Sequence, residues 1–403
     1  MATSFAWLDA SQRDRRRALD VIDLLSVRET RDELGIGSIR DALADLLAPG
    51  LSTVQTRAKY FLFVPWAYQR LEARCVGASA LAKSLRASEL ELRDVLVASG
   101  DPDGTVGRNA GRSIQRLPSS IYWHGLEVLG IRRARGSTEG VARGWGRTDP
   151  PRDPEEVATG GSIRGHVWDP HLPPAPKGFP AGAAFDLHVR EASYLRERFR
   201  QRAPDALVTF LIEHEVVDPG GDLPWDVPRV VAATGRLGSV LDHARCFSEV
   251  MHGAALLYNL MLSELLERAD WLATYQDRLE AWSAMASARR DAHVRWDQPA
   301  FWAVVLGVNP RIAPAARTFV SAWTRLLLEA GRPADLVGSG AARELVRVRE
   351  VALKRNRSRL RHRQYLELWQ GAAGASQLDY RWGTVRSVVR DIVRGLSTEA
   401  GDA

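Results

Sequence analysis

Apolar residues recur at helical spacing along most of the chain, and clusters of turn residues punctuate them. Leu19, Ile22 and Leu25 share one face behind Ser11 and Asp14, a pairing that resembles a capping box. Ser38 is placed to cap a second helix, Ile39 to Leu47, which Pro49-Gly50 ends. A third helical segment runs from about Thr53 to Cys75; Pro65 should kink or split it, because it lacks the N–H that the ladder needs. From Asp186 onward the pattern is helical almost throughout, with helices expected over 186–202, 204–213, 271–289, 314–330, 341–361 and 382–396. Between them, Leu237 to Glu267 is apolar on most faces, which marks it as the central core element.

Ser84 to Arg135 reads as a unit of its own. A helix from about Ser88 to Ala98 ends in Gly100-Asp101-Pro102-Asp103-Gly104, and a second helix would carry Arg108, Arg112 and Arg116. Pro118 sits where a first turn tolerates proline, Ser119 to Leu129 continues as a third helix, and Gly130 closes it. Ile131-Arg132-Arg133 has the look of a short strand. Three helices and a strand are compatible with a winged helix and equally with three helices of a bundle. The expected fold class is therefore mainly α, a multi-helix bundle, with a small winged-helix (α+β) unit in the N-terminal third as the open alternative. Gly136 to Pro180 is dense in glycine and proline; 136–164 reads as a loop or linker, and His171 to Pro176 as extended backbone along the surface. The resulting division is an N-terminal helical segment (1–83), the candidate winged helix (84–135), the Gly/Pro-rich stretch (136–180) and a C-terminal helical domain (181–403).

Composition narrows the class. At 403 residues, with 45% apolar and 26% charged, the chain can bury a core without staples. Its two cysteines, Cys75 and Cys246, exclude a disulfide scaffold and any CxxC pair. Met1 to Arg17 lack an apolar signal core and no apolar run is long enough to span a bilayer, so a cytoplasmic protein without membrane contact is expected. The thirteen tryptophans, Trp7, Trp66, Trp123, Trp302 and Trp382 among them, suit large buried anchors with one polar N–H each.

Several strings occur together in a fixed order: Phe5-Ala6-Trp7-Leu8-Asp9, Asp32-Glu33-Leu34-Gly35-Ile36-Gly37, Thr56-Arg57-Ala58-Lys59-Tyr60-Phe61 leading to Pro65-Trp66, Leu117 to Trp123, Leu256-Leu257-Tyr258-Asn259-Leu260, and Leu378-Asp379-Tyr380-Arg381-Trp382. Their order resembles a bacterial family of unknown function, of about this length, met mainly in GC-rich bacteria and in mobile or defence-type gene neighbourhoods. The resemblance implies no chemistry for particular residues. It does imply an accessory role in phage defence or DNA processing, by analogy.

Catalytic and metal motifs are near misses. His214-Glu215-Val216-Val217-Asp218 begins like HExxH but has Asp218 where the second imidazole belongs. Glu249 and His252 have di-iron spacing, with His243 nearby, but no second Glu-x-x-His exists. Asp101-Pro102-Asp103-Gly104 starts like a calcium loop, with Gly104 too early and Arg112 in place of the closing Glu. Gly107 to Ser113 resembles a phosphate loop one residue short, with Arg for Lys. No metal and no cofactor is expected.

The basic residues are 51 Arg and only four Lys against 49 acids, a formal charge of +6. A bias of that kind reflects a GC-rich genome, but its placement is informative. Arg343 to Arg363 holds nine cations against Glu344 and Glu350, and from Lys354 through Arg355, Arg357, Arg359 and Arg361 to Arg363 no acid intervenes. Arg108, Arg112, Arg116, Arg132, Arg133 and Arg135 oppose only Glu127. Arginine's planar fork suits phosphate, so both runs are candidate contacts to duplex DNA, with Ser119, Ser120, Tyr122 and His124 near base edges if the winged helix forms. The bland reading is charged solvated faces. Arg57, Lys59, Tyr60, Phe61 and Trp66 could form a stacking platform, though helical spacing favours them as core. The reading favoured is a non-enzymatic, DNA-associated accessory protein. A scaffold for proteins encoded nearby is the alternative. An enzyme built around His243, Glu249, His252 and Asn259 ranks third.

Overall fold

Helices form where apolar spacing and capping chemistry agree. The structure, a computed structural model, describes residues 33–74, 76–138, 140 and 167–398. The expected helix around Leu19 to Leu25, Cys75 and nearly all of the 136–164 linker lie outside the described residues. Sixteen α-helices occur among the described residues, so the chain is mainly α. In chain order they are α1 (Gly37–Leu47), α2 (Tyr60–Ala73), α3 (Ala78–Val97), α4 (Pro118–Val128), α5 (Val189–Arg202), α6 (Leu207–Glu213), α7 (Pro228–Val231) and α8 (Gly235–Leu266). There follow α9 (Ala269–Ala288), α10 (Arg290–Arg295), α11 (Gln298–Val308), α12 (Pro314–Glu329), α13 (Asp335–Gly338), α14 (Gly340–Lys354), α15 (Arg363–Leu366) and α16 (Trp382–Ser397).

The chain divides into two compact units, one made of 44–241 and 379–403, the other of 1–43 and 242–378. In the 44–241 unit, Pro65 lies inside α2 without splitting it. Tyr60, Phe61, Phe63, Val64, Trp66 and Tyr68 are all buried, so α2 is held by packing on every side. It packs on α3 and α4, while α16 packs on α5 and α6. Arg57 ties these layers together: its Nε donates to Asp391 of α16 at 3.0 Å and its Nη1 to Asp101 at 2.8 Å.

The winged helix is not supported. Arg108 to Arg116 do not form an α-helix; they form turns and one 3-10 turn, Gly111–Ser113. Gly107 and Gly111 both take positive φ (77° and 60°), which breaks the i to i+4 ladder. Arg93 of α3 then holds the Gly107 carbonyl. The expected strand at Ile131 to Arg133 is, among the described residues, a single antiparallel bridge between Arg132 and Trp168.

The other unit is built on α8 from Asp242 onward. Trp282 of α9 lies against Gly253, where a Cβ would come within 2.1 Å of the indole, so a side chain there would expel the ring. The indole N–H groups of Trp282 and Trp323 donate to the carbonyls of Glu249 and Val250, each at 2.8 Å. Helix α14 is capped by Ser339, whose Oγ accepts from Ala342 N at 3.3 Å. It stops at Lys354 rather than continuing to Arg361, because Arg355 takes φ 49° and ψ −117°.

One buried acid gives the 44–241 unit a pH signature. Burial raises the Glu89 carboxyl to about 7, although Ser119 N–H (2.6 Å) and Oγ–H (2.9 Å) pull it down. A raised carboxyl stabilises the fold below its ordinary pKa of 4.5 and loses that contribution as pH rises toward 7. Replacing Glu89→Gln should flatten the fall in urea midpoint over that window, a difference of at most about 3 kcal/mol. A mutant curve parallel to the wild type would show that Glu89 titrates normally.

Candidate nucleic-acid interface

The basic run from Lys354 to Arg363 splits into two sets by direction. Lys354 Nζ and Arg359 Nη1 (2.8 Å) both pair with the buried Glu33. Tyr258 Oη–H reaches the same carboxylate at 3.3 Å. Arg359 N–H donates to the buried Glu350 at 2.8 Å, and Ser358 Oγ–H donates to its other oxygen. Arg349 completes the frame by donating to the carbonyls of Leu34 (2.8 Å) and Gly35 (3.1 Å). These side chains hold the segment down and are spent on structure. Arg355, Arg357 and Arg361 are exposed and form no ion pair among the described residues. Arg363 is exposed and pairs with Glu367 at 2.9 Å. Beyond the frame, Arg343 binds Glu264 and Arg347 binds Glu344.

The second cluster, in the 44–241 unit, divides the same way. Tyr122 is fully buried: its Oη accepts from Thr56 N (2.8 Å) and Arg57 N (3.1 Å) and donates to Arg57 O. Ser119 is buried on Glu89. Arg132 is 2% exposed, lies 4.4 Å from the Trp123 ring centroid and pairs with Glu127. Arg108 pairs with Asp103, and Arg112 with Asp94 at 2.9 Å. Arg116, Ser120, His124, Arg133 and Arg135 face solvent. Without the second helix, Arg108, Arg112 and Arg116 do not share a helix face.

The polar residues of α8 hold a neighbouring strap of chain. Asn259 donates to Ala373 O (2.8 Å) and accepts from Ala373 N (2.8 Å), as one main-chain pair would. Ser248 donates to Leu378 O at 2.9 Å, and His252 Nε2 lies 3.2 Å from Ala375 O. Burial, helped by Arg278, lowers the His252 pKa to about 4. From α9, Tyr275 donates to Gly371 O at 2.6 Å, and Arg278 donates to Ala375 O. Between strap and helix is a cavity of about 30 Å³, lined by Glu33, His252 and Tyr258, room for a water or two. Glu249 receives Arg245 (2.8 Å), Arg289 (3.2 Å) and His293 (2.9 Å); burial would raise its pKa, but these partners outweigh it and hold the carboxyl low. Trp296 donates to His243 Nδ1 at 3.2 Å, which requires that nitrogen to be unprotonated, in line with the lowering of this pKa by burial. Among the described residues no three His, Cys, Asp or Glu side chains are placed to hold a metal ion. His214 ends α6 and turns back on Phe210 O at 2.8 Å, so the HExxH-like string does not run along a helix.

The chain matches, over residues 2–394, the family described as Family of unknown function (DUF6361). It is a DUF6361 protein. Neither a curated protein nor a solved structure matches the sequence. Among the described residues of this DUF6361 chain, no helix is long and apolar enough to cross a membrane. A further open surface, lined by Arg317 and Arg325 of α12 beside Trp302, is not marked by any run of basic residues, because the two arginines stand eight residues apart.

The inward and outward sets should separate in stability. Arg359→Ala, which strips the buried Glu33 of its guanidinium partner while keeping the N–H bond to Glu350, should cost about 1–3 kcal/mol, whereas Arg357→Ala should stay within about 0.5 kcal/mol of wild type. Equal shifts in thermal unfolding would contradict the division. Asn259→Ala leaves the N–H and C=O of Ala373 unmet and should cost a further case of about 2 kcal/mol, read by the same melt.

Proposed function

We propose that this DUF6361 protein binds DNA as a non-enzymatic accessory component of a bacterial defence or DNA-processing system. The observation that carries the reading is the split within 354–363. Lys354 and Arg359 are committed to Glu33, and the segment they anchor presents Arg355, Arg357 and Arg361 to solvent with no ion pair among the described residues. A basic segment braced by buried ion pairs offers phosphate groups a preformed set of guanidinium forks. The exposed Arg116, Arg133 and Arg135 of the other unit add positive charge there. Support for a non-enzymatic role comes from His252, Glu249 and Asn259, each engaged in holding main chain or charge. The defence setting rests on the family resemblance alone.

Duplex binding by fluorescence anisotropy tests the proposal across a salt series. The wild type should weaken steeply as salt rises, and the triple reversal of Arg355, Arg357 and Arg361 to Glu should weaken it at least about ten-fold and flatten the log–log slope by roughly 2–3. Arg359 is left intact because its guanidinium is committed to Glu33, so its loss would mix a stability effect into the binding readout. Wild-type affinity in the triple variant, or binding indifferent to salt, would overturn the reading.

A further inference from the structure

We infer that the groove between α11 and α12 is a separate binding site for single-stranded nucleic acid. Helix α12 has two faces of regular spacing. Ala316, Phe319, Val320, Trp323, Thr324 and Leu327 are buried. Offset from them, Pro314, Arg317, Thr318, Ser321, Ala322 and Arg325 line an open groove of about 520 Å³. Trp302 of α11 is its wall. The groove thus has a floor of small and hydroxylated side chains with an arginine toward each end, about 12 Å apart along the helix. No acid lines it, and neither arginine forms an ion pair among the described residues.

Trp302 differs from the buried tryptophans in its exposure. Trp66, Trp123, Trp282, Trp296, Trp323 and Trp382 are buried with an acceptor for each indole N–H, and Trp168 and Trp369 are buried without one. Trp302 is half-buried, its ring edge open to the groove lining, its N–H has no hydrogen-bond partner among the described residues, and its ring meets Phe301 edge-on at 4.8 Å. An indole in a groove with two unpaired guanidinium groups can stack a base while the arginines hold the backbone on either side. Bases of an intact duplex are already stacked and paired, so an unpaired strand is the form that fits.

The site is independent of Arg355, Arg357 and Arg361, and the experiment separates the two. Anisotropy is measured with labelled oligothymidine, with an abasic deoxyribose-phosphate strand and with duplex. Wild type should prefer oligothymidine to the abasic strand. Trp302→Ala should weaken oligothymidine binding about ten-fold and erase that preference, and Arg317→Glu with Arg325→Glu should weaken both strands. Neither change should alter duplex binding, and the triple reversal at 355, 357 and 361 should leave oligothymidine binding in place. Arg325→Glu alone, at an exposed position, serves if the double variant misfolds. Oligothymidine binding that is absent, or that survives the groove substitutions, overturns the inference, as does an equal loss of duplex binding. A loss of duplex binding confined to the triple reversal leaves the groove standing.

Discussion

A carboxylate withdrawn from water must be met by donors or give up its charge, and this constraint organises both units. Glu33 is met by Lys354, Arg359 and Tyr258, and Glu350 by Ser358 and the Arg359 N–H. Glu249 has Arg245, Arg289 and His293. Asp391 has Arg57 and the Ala58 N–H. Glu89 has two bonds from Ser119 and no cation bonded to it among the described residues, and its pKa rises where that of Glu249 falls. Burial also raises the Asp391 carboxyl despite Arg57, so one bonded guanidinium does not offset burial there, whereas two with His293 do at Glu249. An arginine-rich composition therefore serves the interior as well as the surface.

Much of the helical layout was legible in the sequence because its signals are local. Pro314 at a first turn, Ser339 as a cap, and apolar spacing through Leu256 and Leu260 each act within a few residues. What failed also has a local cause. Arg108, Arg112 and Arg116 have helical spacing, yet Gly107 and Gly111 adopt positive φ, and spacing among charges gives no packing energy to offset that. Helical spacing extends α14 to Arg361, beyond its true end at Lys354, because nothing in Lys354-Arg355 announces a residue at positive φ. The candidate site was less legible still. Tyr122 and Arg132 were read as contacts to DNA, and they are buried on the Thr56–Arg57 main chain and on Glu127. Their partners are remote or follow a turn, so no pattern of charge along the chain marks them.

The charge of +6 thus divides into spent and unspent parts. A ten-residue basic run would ordinarily be read as one surface. Here Lys354, Ser358 and Arg359 turn in, and the acids they meet lie hundreds of residues upstream at Glu33 or within the preceding helix at Glu350. Counting arginines overstates the surface available to a phosphate backbone, while the anchored ones stiffen the presentation of the remainder. Preorganisation of this kind reduces the entropy lost when a flexible side chain is fixed on a ligand.

The strap at 371–378 is gripped almost wholly through its own carbonyls and one amide, by Asn259, Ser248, His252, Tyr275 and Arg278. Main-chain atoms are the same whatever residue supplies them. Apart from Gly371 and Gly374, whose positive φ needs glycine, the path of this stretch is therefore encoded in α8 and α9, and exposed positions such as Ala372 and Ser376 are free to drift in evolution or to carry a reporter group without redirecting the backbone.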